Sequence, residues 1–310
     1  MNLKIFIFFI LFSLLSFGQR KEVCFSFDDL PVVSYGMPDT VFQKELFDNL
    51  ISGLNQNRIP AVGFVNEKKL FNSEGNLNEF QVRLLQTWSD HNLELGNHTF
   101  SHPDYNLTSF KDFTQDILKG EIITKKILFI KGKTIRYFRH PFLHLGNTKE
   151  KTDSLDNFLS DHGYTTAPVT IDNEDYLFAV AYKRAKVKND TLLTKQIGND
   201  YINYMWKKLK YYEMQSIRLF GRDIKQILLL HASWLNSDYI DSLAVMYRKN
   251  NYEFITMDKA LEDDVYNTRI TAYGNWGISW IDRWALSKGK KGSFFKDEPE
   301  TPDYIKDLSK

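Results

Sequence analysis

The sequence has a single cysteine, no excess of either charge sign and few long apolar runs. Its single cysteine, Cys24, excludes a disulfide within the chain, so stability must come from the apolar core that 310 residues allow. The 40 basic and 39 acidic side chains leave a net charge of +1, and no basic stripe alternates with aromatic residues. This balance argues against nucleic acid as a partner. The sequence has no internal repeat, no low-complexity segment and no long run of like charge, so no disordered tail is predicted.

The longest nearly apolar run, Ile5 to Phe17, lies at the N-terminus and is too short to span a bilayer comfortably. Lys4 precedes it and the small residue Gly18 follows it, a pattern typical of a secretory signal peptide. We therefore expect removal of residues 1–18, export to the periplasm or the extracellular space, and no stable membrane span afterwards. An uncleaved anchor is the alternative.

Seven apolar segments with strand character alternate with segments of helical periodicity. The predicted strands are 23–27, 61–65, 93–95, 135–138, 165–171, 226–230 and 252–256. The predicted helices are 39–55, 78–92, 109–130, 148–162, 194–220 and 237–250. Helix N-caps are expected at Asp39, Ser109, Thr148 and Ser237. The alternation predicts an α/β fold with parallel strands, closed or nearly closed into a (β/α)₇ barrel; a doubly wound open sheet is the alternative.

The barrel is predicted to occupy residues 19–267, and residues 268–310 form an aromatic-rich extension outside the strand–helix alternation, packed on the barrel. In this extension Trp276, Trp280 and Trp284 recur every four residues, which would place them in one stripe on a helix. The stripe predicts a helix docked on the barrel; a sugar-stacking platform is the alternative.

Polar and ionisable residues follow five of the predicted strands. They are Asp28, Asp29, His98, His102, Arg139, Asp175 and His231. The C-terminal ends of parallel strands meet at one face of a barrel, where active sites collect. We therefore expect these side chains to converge on one site.

His98 and His102 are four residues apart, which on a helical turn places both imidazoles on one face. Zinc prefers imidazole and carboxylate ligands, and catalytic zinc sites use about three protein ligands plus a water. Either Asp28 or Asp29 would complete this set, and its neighbour would be free to act as a general base.

His231 ends an unbroken apolar strand, a costly place for a polar ring without a partner. A carboxylate such as Asp175 would hold this imidazole protonated. The pair therefore predicts a general acid.

Five motifs, in this order, resemble the polysaccharide deacetylase family with the NodB homology domain over roughly residues 22–260. They are Ser26-Phe27-Asp28-Asp29, His98-Thr99-Phe100-Ser101-His102, Arg139-His140-Pro141-Phe142, Asp172-Asn173-Glu174-Asp175-Tyr176 and Leu228-Leu229-Leu230-His231. The resemblance implies a distorted (β/α)₇ barrel and a divalent metal, most often Zn²⁺. Its metal ligands would be Asp29, His98 and His102.

The resemblance also implies the remaining roles. Asp28 would be the general base, oriented by Arg139. His231 would be the general acid, with Asp175 tuning its pKa. The backbone N–H of Phe142 would help to stabilise the oxyanion.

Three positions depart from the family pattern. Leu30-Pro31 replaces the usual Gly-Pro, Tyr176 stands where the fourth motif usually has Trp, and Val169 stands where another Trp is common. The last two positions help to line the sugar site, so the substrate surface is expected to differ while the reacting residues are intact.

We therefore predict an enzyme, a metal-dependent hydrolase that removes acetyl groups from a glycan. A glycan containing N-acetylglucosamine, such as peptidoglycan or chitin, is favoured over O-acetylated xylan. Hydrolysis of a non-sugar amide, in a cleft walled by residues 176–226, is one alternative. A glycan-binding protein without catalysis is the other.

Overall fold

The computed structural model describes residues 20–310, so the predicted signal peptide lies outside the described part of the chain. One parallel sheet forms its centre. The strands are β1 Lys21–Val33, β2 Val62–Val65, β3 Glu94–Asn97, β4 Tyr137–Phe138, β5 Thr165–Thr166, β6 Gln226–Ser233 and β7 Tyr252–Phe254. All seven lie where apolar runs predict them, although β5 is much shorter than its run.

The strand order is β5-β4-β3-β2-β1-β6, with β7 beside the start of β1, and every pair is parallel. The sheet curls because the segment after β5 returns to β6. Ile171 bridges Leu228, and the Thr170 N–H donates to the Ile227 carbonyl at 3.0 Å. The predicted distorted barrel is confirmed, and the alternative of an open doubly wound sheet is wrong.

Helices surround the sheet. They are α1 Thr40–Gln56, α2 Glu79–Asp90, α3 Phe110–Lys119, α4 Ile122–Phe129, α5 Lys149–Asp161, α6 Asp175–Val187, α7 Thr191–Phe220, α8 Trp234–Lys249, α9 Met257–Leu261, α10 Trp280–Ser287 and α11 Asp303–Ser309. The caps at Asp39, Ser109 and Thr148 are confirmed. The cap at Ser237 is wrong, because α8 begins one turn earlier and Ser233 accepts from the Asn236 N–H. Within residues 20–310 no helix has both the length and the apolar character that crossing a bilayer requires.

The single helix predicted over 109–130 is two helices, broken at Gly120. A Cβ at Gly120 would lie 2.4 Å from the carbonyl carbon of Thr99, so the helix junction packs directly on the loop after β3. The buried Glu67 carboxylate accepts from the Ile123 N–H at 2.9 Å and the Thr124 N–H at 2.7 Å, which satisfies the first donors of α4. The break therefore supports the loop that carries two of the predicted metal ligands.

The C-terminal extension crosses the seam where the sheet closes. The Trp280 N–H donates to the Val169 carbonyl at 2.7 Å, and Ser279 Oγ donates to the Thr170 carbonyl at 2.8 Å. Trp280 and Trp284 are buried on α10, whereas Trp276 precedes the helix and is partly exposed. The three indoles therefore do not form one helical stripe, and two of them pack as a docked helix does.

Candidate metal and acid–base site

The end of β1 turns its two carboxylates toward different partners. Asp28 keeps strand register, opposite His231 of β6. Asp29 has a left-handed φ of 62°, which turns its side chain toward the loop after β3. Lys69 Nζ donates to the Asp29 carbonyl at 2.6 Å and fixes this turn.

Three donor side chains lie together beside this turn. Asp29 Oδ1 is 3.9 Å from His98 Nε2 and 3.8 Å from His102 Nε2. The three ligand atoms all lie within 4.8 Å of one another, so the structure holds a possible metal site. The structure thus brings Asp29, rather than Asp28, together with both imidazoles.

The two histidines do not share a helical turn, so that expectation is wrong. Residues 98–102 form a loop in which Thr99 and His102 have φ of 68° and 57°. Asn97 Oδ1 accepts from the Thr99 N–H at 2.7 Å, and Asp116 accepts from the Phe100 N–H at 2.9 Å. The imidazoles converge because side chains hold this strained loop, not because of helical spacing.

The protonation states of the donors suit a cation. His98 Nδ1 donates to the Arg139 carbonyl at 2.8 Å, which leaves Nε2 as the free acceptor. Burial lowers the pKa of His98 and of His102 to about 4, so both rings are neutral near pH 7. Burial opposes ionisation of Asp29, but Lys69 and the imidazoles hold its pKa below the ordinary value. Two neutral imidazoles and one carboxylate fit a divalent metal of the zinc type.

Asp28 is paired with a fully buried arginine. Arg139 Nη1 lies 3.0 Å from Asp28 Oδ1, its Nη2 donates to Ser26 Oγ at 3.0 Å, and its Nε donates to the Ala167 carbonyl at 2.8 Å. The guanidinium also stacks on Phe64, 4.5 Å from the ring centre. Burial raises the pKa of Asp28 and Arg139 opposes that rise. The pair therefore presents a fixed carboxylate to the pocket.

A second pair faces Asp28 across the site. His231 Nδ1 lies 2.7 Å from Asp175 Oδ1, and the His231 N–H donates to Asp175 Oδ2 at 2.9 Å. Asn236 Nδ2 donates to the same oxygen at 2.7 Å. Burial opposes protonation of His231, but Asp175 raises the pKa of the imidazole to about 9. The ring is therefore a cation near pH 7, with Nε2–H as its free donor.

The site opens into a pocket of about 540 Å³. Its lining includes the predicted site residues Asp28, Asp29, His98, His102, Phe142, Tyr176 and His231. Arg139 and Asp175 lie behind this lining and act on it through Asp28 and His231. The arrangement places a carboxylate and an imidazolium beside a candidate metal site with three donors.

A comparison with models of protein families finds a match in the N-terminal part of the chain. The model of the polysaccharide deacetylase family matches residues 18–167. This stretch of the chain belongs to the polysaccharide deacetylase family. It carries the first three of the five motifs, whereas His231 reaches the same pocket from beyond it, with Asp175 bound behind its ring.

Solved structures resemble the deacetylase domain in fold. The Bc1960 peptidoglycan N-acetylglucosamine deacetylase is 15% identical, with a TM-score of 0.50 over 78% of this chain and 88% of that chain. A mutant of BA3943, a CE4 family pseudoenzyme, is 14% identical, with a TM-score of 0.50 over 78% of this chain and 68% of that one. PdaA of Bacillus subtilis, a family 4 carbohydrate esterase, is 18% identical, with a TM-score of 0.49 over 78% and 81%. No curated protein matches the chain.

Several residues that hold the candidate site carry no sequence signal of their own. Lys69 and Asn236 lie outside the motifs, yet they bind the Asp29 carbonyl and the Asp175 carboxylate. Gly277 in the C-terminal extension lines the pocket, and a Cβ there would lie 2.2 Å from the Phe142 carbonyl oxygen. Arg283 Nη2 donates to the Leu143 carbonyl at 2.7 Å. Only the tertiary fold brings these residues to the site.

Proposed function

We propose that the protein is an exported, metal-dependent deacetylase of glycans that contain N-acetylglucosamine. The observation that carries the proposal is the fixed carboxylate of Asp28 and the imidazolium of His231, which flank the donors Asp29, His98 and His102 in one pocket. The predicted signal peptide supports export. The peptidoglycan N-acetylglucosamine deacetylase with this fold supports the choice of sugar.

Asp29, His98 and His102 would hold the metal, and Zn²⁺ suits this donor set best. When bound there, the cation supplies Lewis acidity toward the acetyl carbonyl. The protein supplies the proton transfers. Asp28, held by Arg139, takes a proton from the attacking water as the water oxygen bonds to the acetyl carbon.

His231 completes the reaction on the other side. Its Nε2–H gives a proton to the sugar nitrogen as the C–N bond breaks, and acetate and a free amine leave. Asp175 accepts from Nδ1 and keeps the ring charged for this step. The Phe142 N–H would donate to the oxyanion, and the exposed Phe142 and Tyr176 rings would contact the sugar.

Acetate release tests the function. The chain from Gln19 onward, stripped with a chelator, is incubated with chitooligosaccharides, peptidoglycan, acetylated xylan and an aryl acetate, with and without added Zn²⁺. Zinc-dependent release from the first two substrates supports the proposal. Release from xylan alone overturns the choice of glycan. Release from the aryl ester alone, or none with metal bound, favours the non-sugar amide or the binding protein.

His98→Ala tests the metal ligands in the same assay. We expect loss of stoichiometric zinc and of zinc-dependent turnover, because one of three donors is gone. His91→Ala is the matched control, since His91 lies on the surface beside Asn55, away from the pocket. Stoichiometric zinc in His98→Ala, measured by elemental analysis, would rule out this ligand set.

A further inference from the structure

The connection from α4 to β4 carries a surface that the deacetylase site does not use. Residues 122–136 contain five basic residues and no acidic one, in a chain whose net charge is only +1. The basic residues are Lys125, Lys126, Lys131, Lys133 and Arg136. Phe129 and Ile130, where α4 ends, are each 81% exposed. We call residues 122–136 the basic tip.

The apolar pair of the basic tip borders an open groove. The groove has a volume of about 800 Å³, and its lining includes Phe129, Ile130, Ile135 and three lysines. Two adjacent large apolar side chains exposed to this degree and rimmed by polar groups mark an interaction surface. Their exposure therefore calls for a partner that is apolar next to anionic groups.

Four of the five cations of the basic tip form ion pairs with acidic groups outside it, and within the described residues Lys126 forms none. Lys131 pairs with Asp90 at 2.6 Å and Arg136 pairs with Asp258 at 2.9 Å. Arg136 is bidentate on Asp258, whereas Lys131 makes a single, partly exposed contact, and such a pair contributes little and exchanges readily for another anion. Lys126 and the lysines in exposed pairs are therefore available to an external anionic surface.

The basic tip lies at the opposite end of the sheet from the pocket. Because the strands are parallel, the segment that leads into Tyr137 of β4 lies at their N-terminal edge, as does Lys21 at the start of β1. Asp28 and His231 lie toward the C-terminal edge. The apolar run 5–17 immediately precedes β1 in the sequence, so the chain enters the fold at the same edge as the basic tip.

We propose that the basic tip docks on an anionic phospholipid surface. Phe129 and Ile130 insert at the boundary of headgroups and acyl chains, while the lysines contact lipid phosphates. A second copy of the chain would present the same positive charge to this surface, which disfavours self-association through it. Docking this way turns the pocket away from the bilayer, toward polymer in the surrounding space.

Vesicle co-sedimentation tests the proposal with the chain from Gln19 onward, which retains the whole sheet and core. The probes are vesicles of phosphatidylglycerol mixed with phosphatidylcholine, and vesicles of phosphatidylcholine alone. We expect binding to the anionic vesicles only, lost at high salt. The variant Phe129→Ser/Ile130→Ser should bind about tenfold or more weakly, and Lys126→Gln should lose about fivefold.

Leu192→Ser is the matched control, because Leu192 is 83% exposed on α7, away from the basic tip. It should bind like the unaltered protein, and all variants should keep the same melting temperature and acetate release from a soluble substrate. Equal binding to neutral vesicles, or unchanged binding of Phe129→Ser/Ile130→Ser, would overturn the proposal. So would a dimer that the double variant abolishes, without vesicle binding, which would assign the surface to self-association.

Discussion

At the scale of single residues, Asp28 and Asp29 are sequence neighbours with different surroundings. Arg139 holds Asp28 in strand register, whereas the left-handed turn at Asp29 brings its carboxylate to two imidazoles. Successive side chains along a strand point in opposite directions, which allows the two carboxylates to have different partners. The left-handed φ at Asp29 sets the direction of its carboxylate. The two carboxylates are therefore not interchangeable.

Asp28→Asn separates the two roles. The amide keeps the size of the side chain but takes no proton, so we expect kcat to fall by about 10²- to 10⁴-fold while zinc stays stoichiometric. The measurement is turnover alongside elemental analysis of the same sample. Asp258→Asn, which alters an aspartate–arginine pair outside the pocket, should leave kcat unchanged. Near-normal turnover in Asp28→Asn would mean that another base acts.

Asp175→Asn tests the general acid through pH. Asp175 raises the pKa of His231 to about 9, so the imidazolium form, present at lower pH, is lost as pH rises through that value. Without the carboxylate the pKa falls, and the alkaline limb of the kcat/KM profile should move to lower pH. Asp172→Asn, three residues before Asp175 and not bonded to His231, should not move it. An unmoved limb in Asp175→Asn would remove His231 from the proton transfer.

At the scale of elements, the loop 98–102 depends on the break between α3 and α4. Gly120→Ala would place a Cβ 2.4 Å from the Thr99 backbone, which cannot give way as a side chain can. We expect the free energy of unfolding to fall by about 1–3 kcal/mol and zinc to bind more weakly. Denaturant unfolding and zinc titration are the measurements.

Gly163→Ala is the control for Gly120→Ala. Gly163 follows α5 with φ of 74° and open space around it, so the substitution strains the backbone alone. It should lower stability without changing zinc affinity. Equal zinc affinity in the two variants would show that the helix break does not support the loop.

The same loop shows what the sequence predicts and what it does not. The buried strands are apolar runs, so β1, β2 and β6 are predictable from the order of apolar residues in the sequence, and the polar residues follow where these runs end. The path from His98 to His102 is not, because it depends on Asn97, Asp116 and Gly120 contacting it from other elements. Lys69 and Asn236 are not predictable for the same reason, since no local spacing in the sequence indicates a tertiary hydrogen bond.

At the scale of the whole molecule, the C-terminal extension is part of the pocket. Arg283 is buried, and its Nη2 donates to the carbonyls of Leu143 and Trp276 at 2.7 and 2.5 Å. Gly277 packs so closely on the Phe142 carbonyl that a Cβ there would lie 2.2 Å from its oxygen. The extension therefore fixes the backbone whose N–H is proposed to face the oxyanion.

Arg283→Met tests this coupling. Two carbonyls lose a charged donor, so we expect a loss of about 2 kcal/mol in stability and a lower kcat with zinc still bound. Arg184→Met is the control, because Arg184 also donates to a carbonyl of the extension, that of Leu308, but on the exterior. A normal kcat in Arg283→Met at a temperature where it is folded would show that the extension stabilises without positioning.

The seam also sets an order of assembly. The residues that bridge it, Ser279 and Trp280, are synthesised well after the candidate metal donors, which are complete by His102. A nascent chain therefore has its candidate metal donors long before the wall of its pocket. The pocket is therefore complete only after Gly277 and Arg283 have been synthesised.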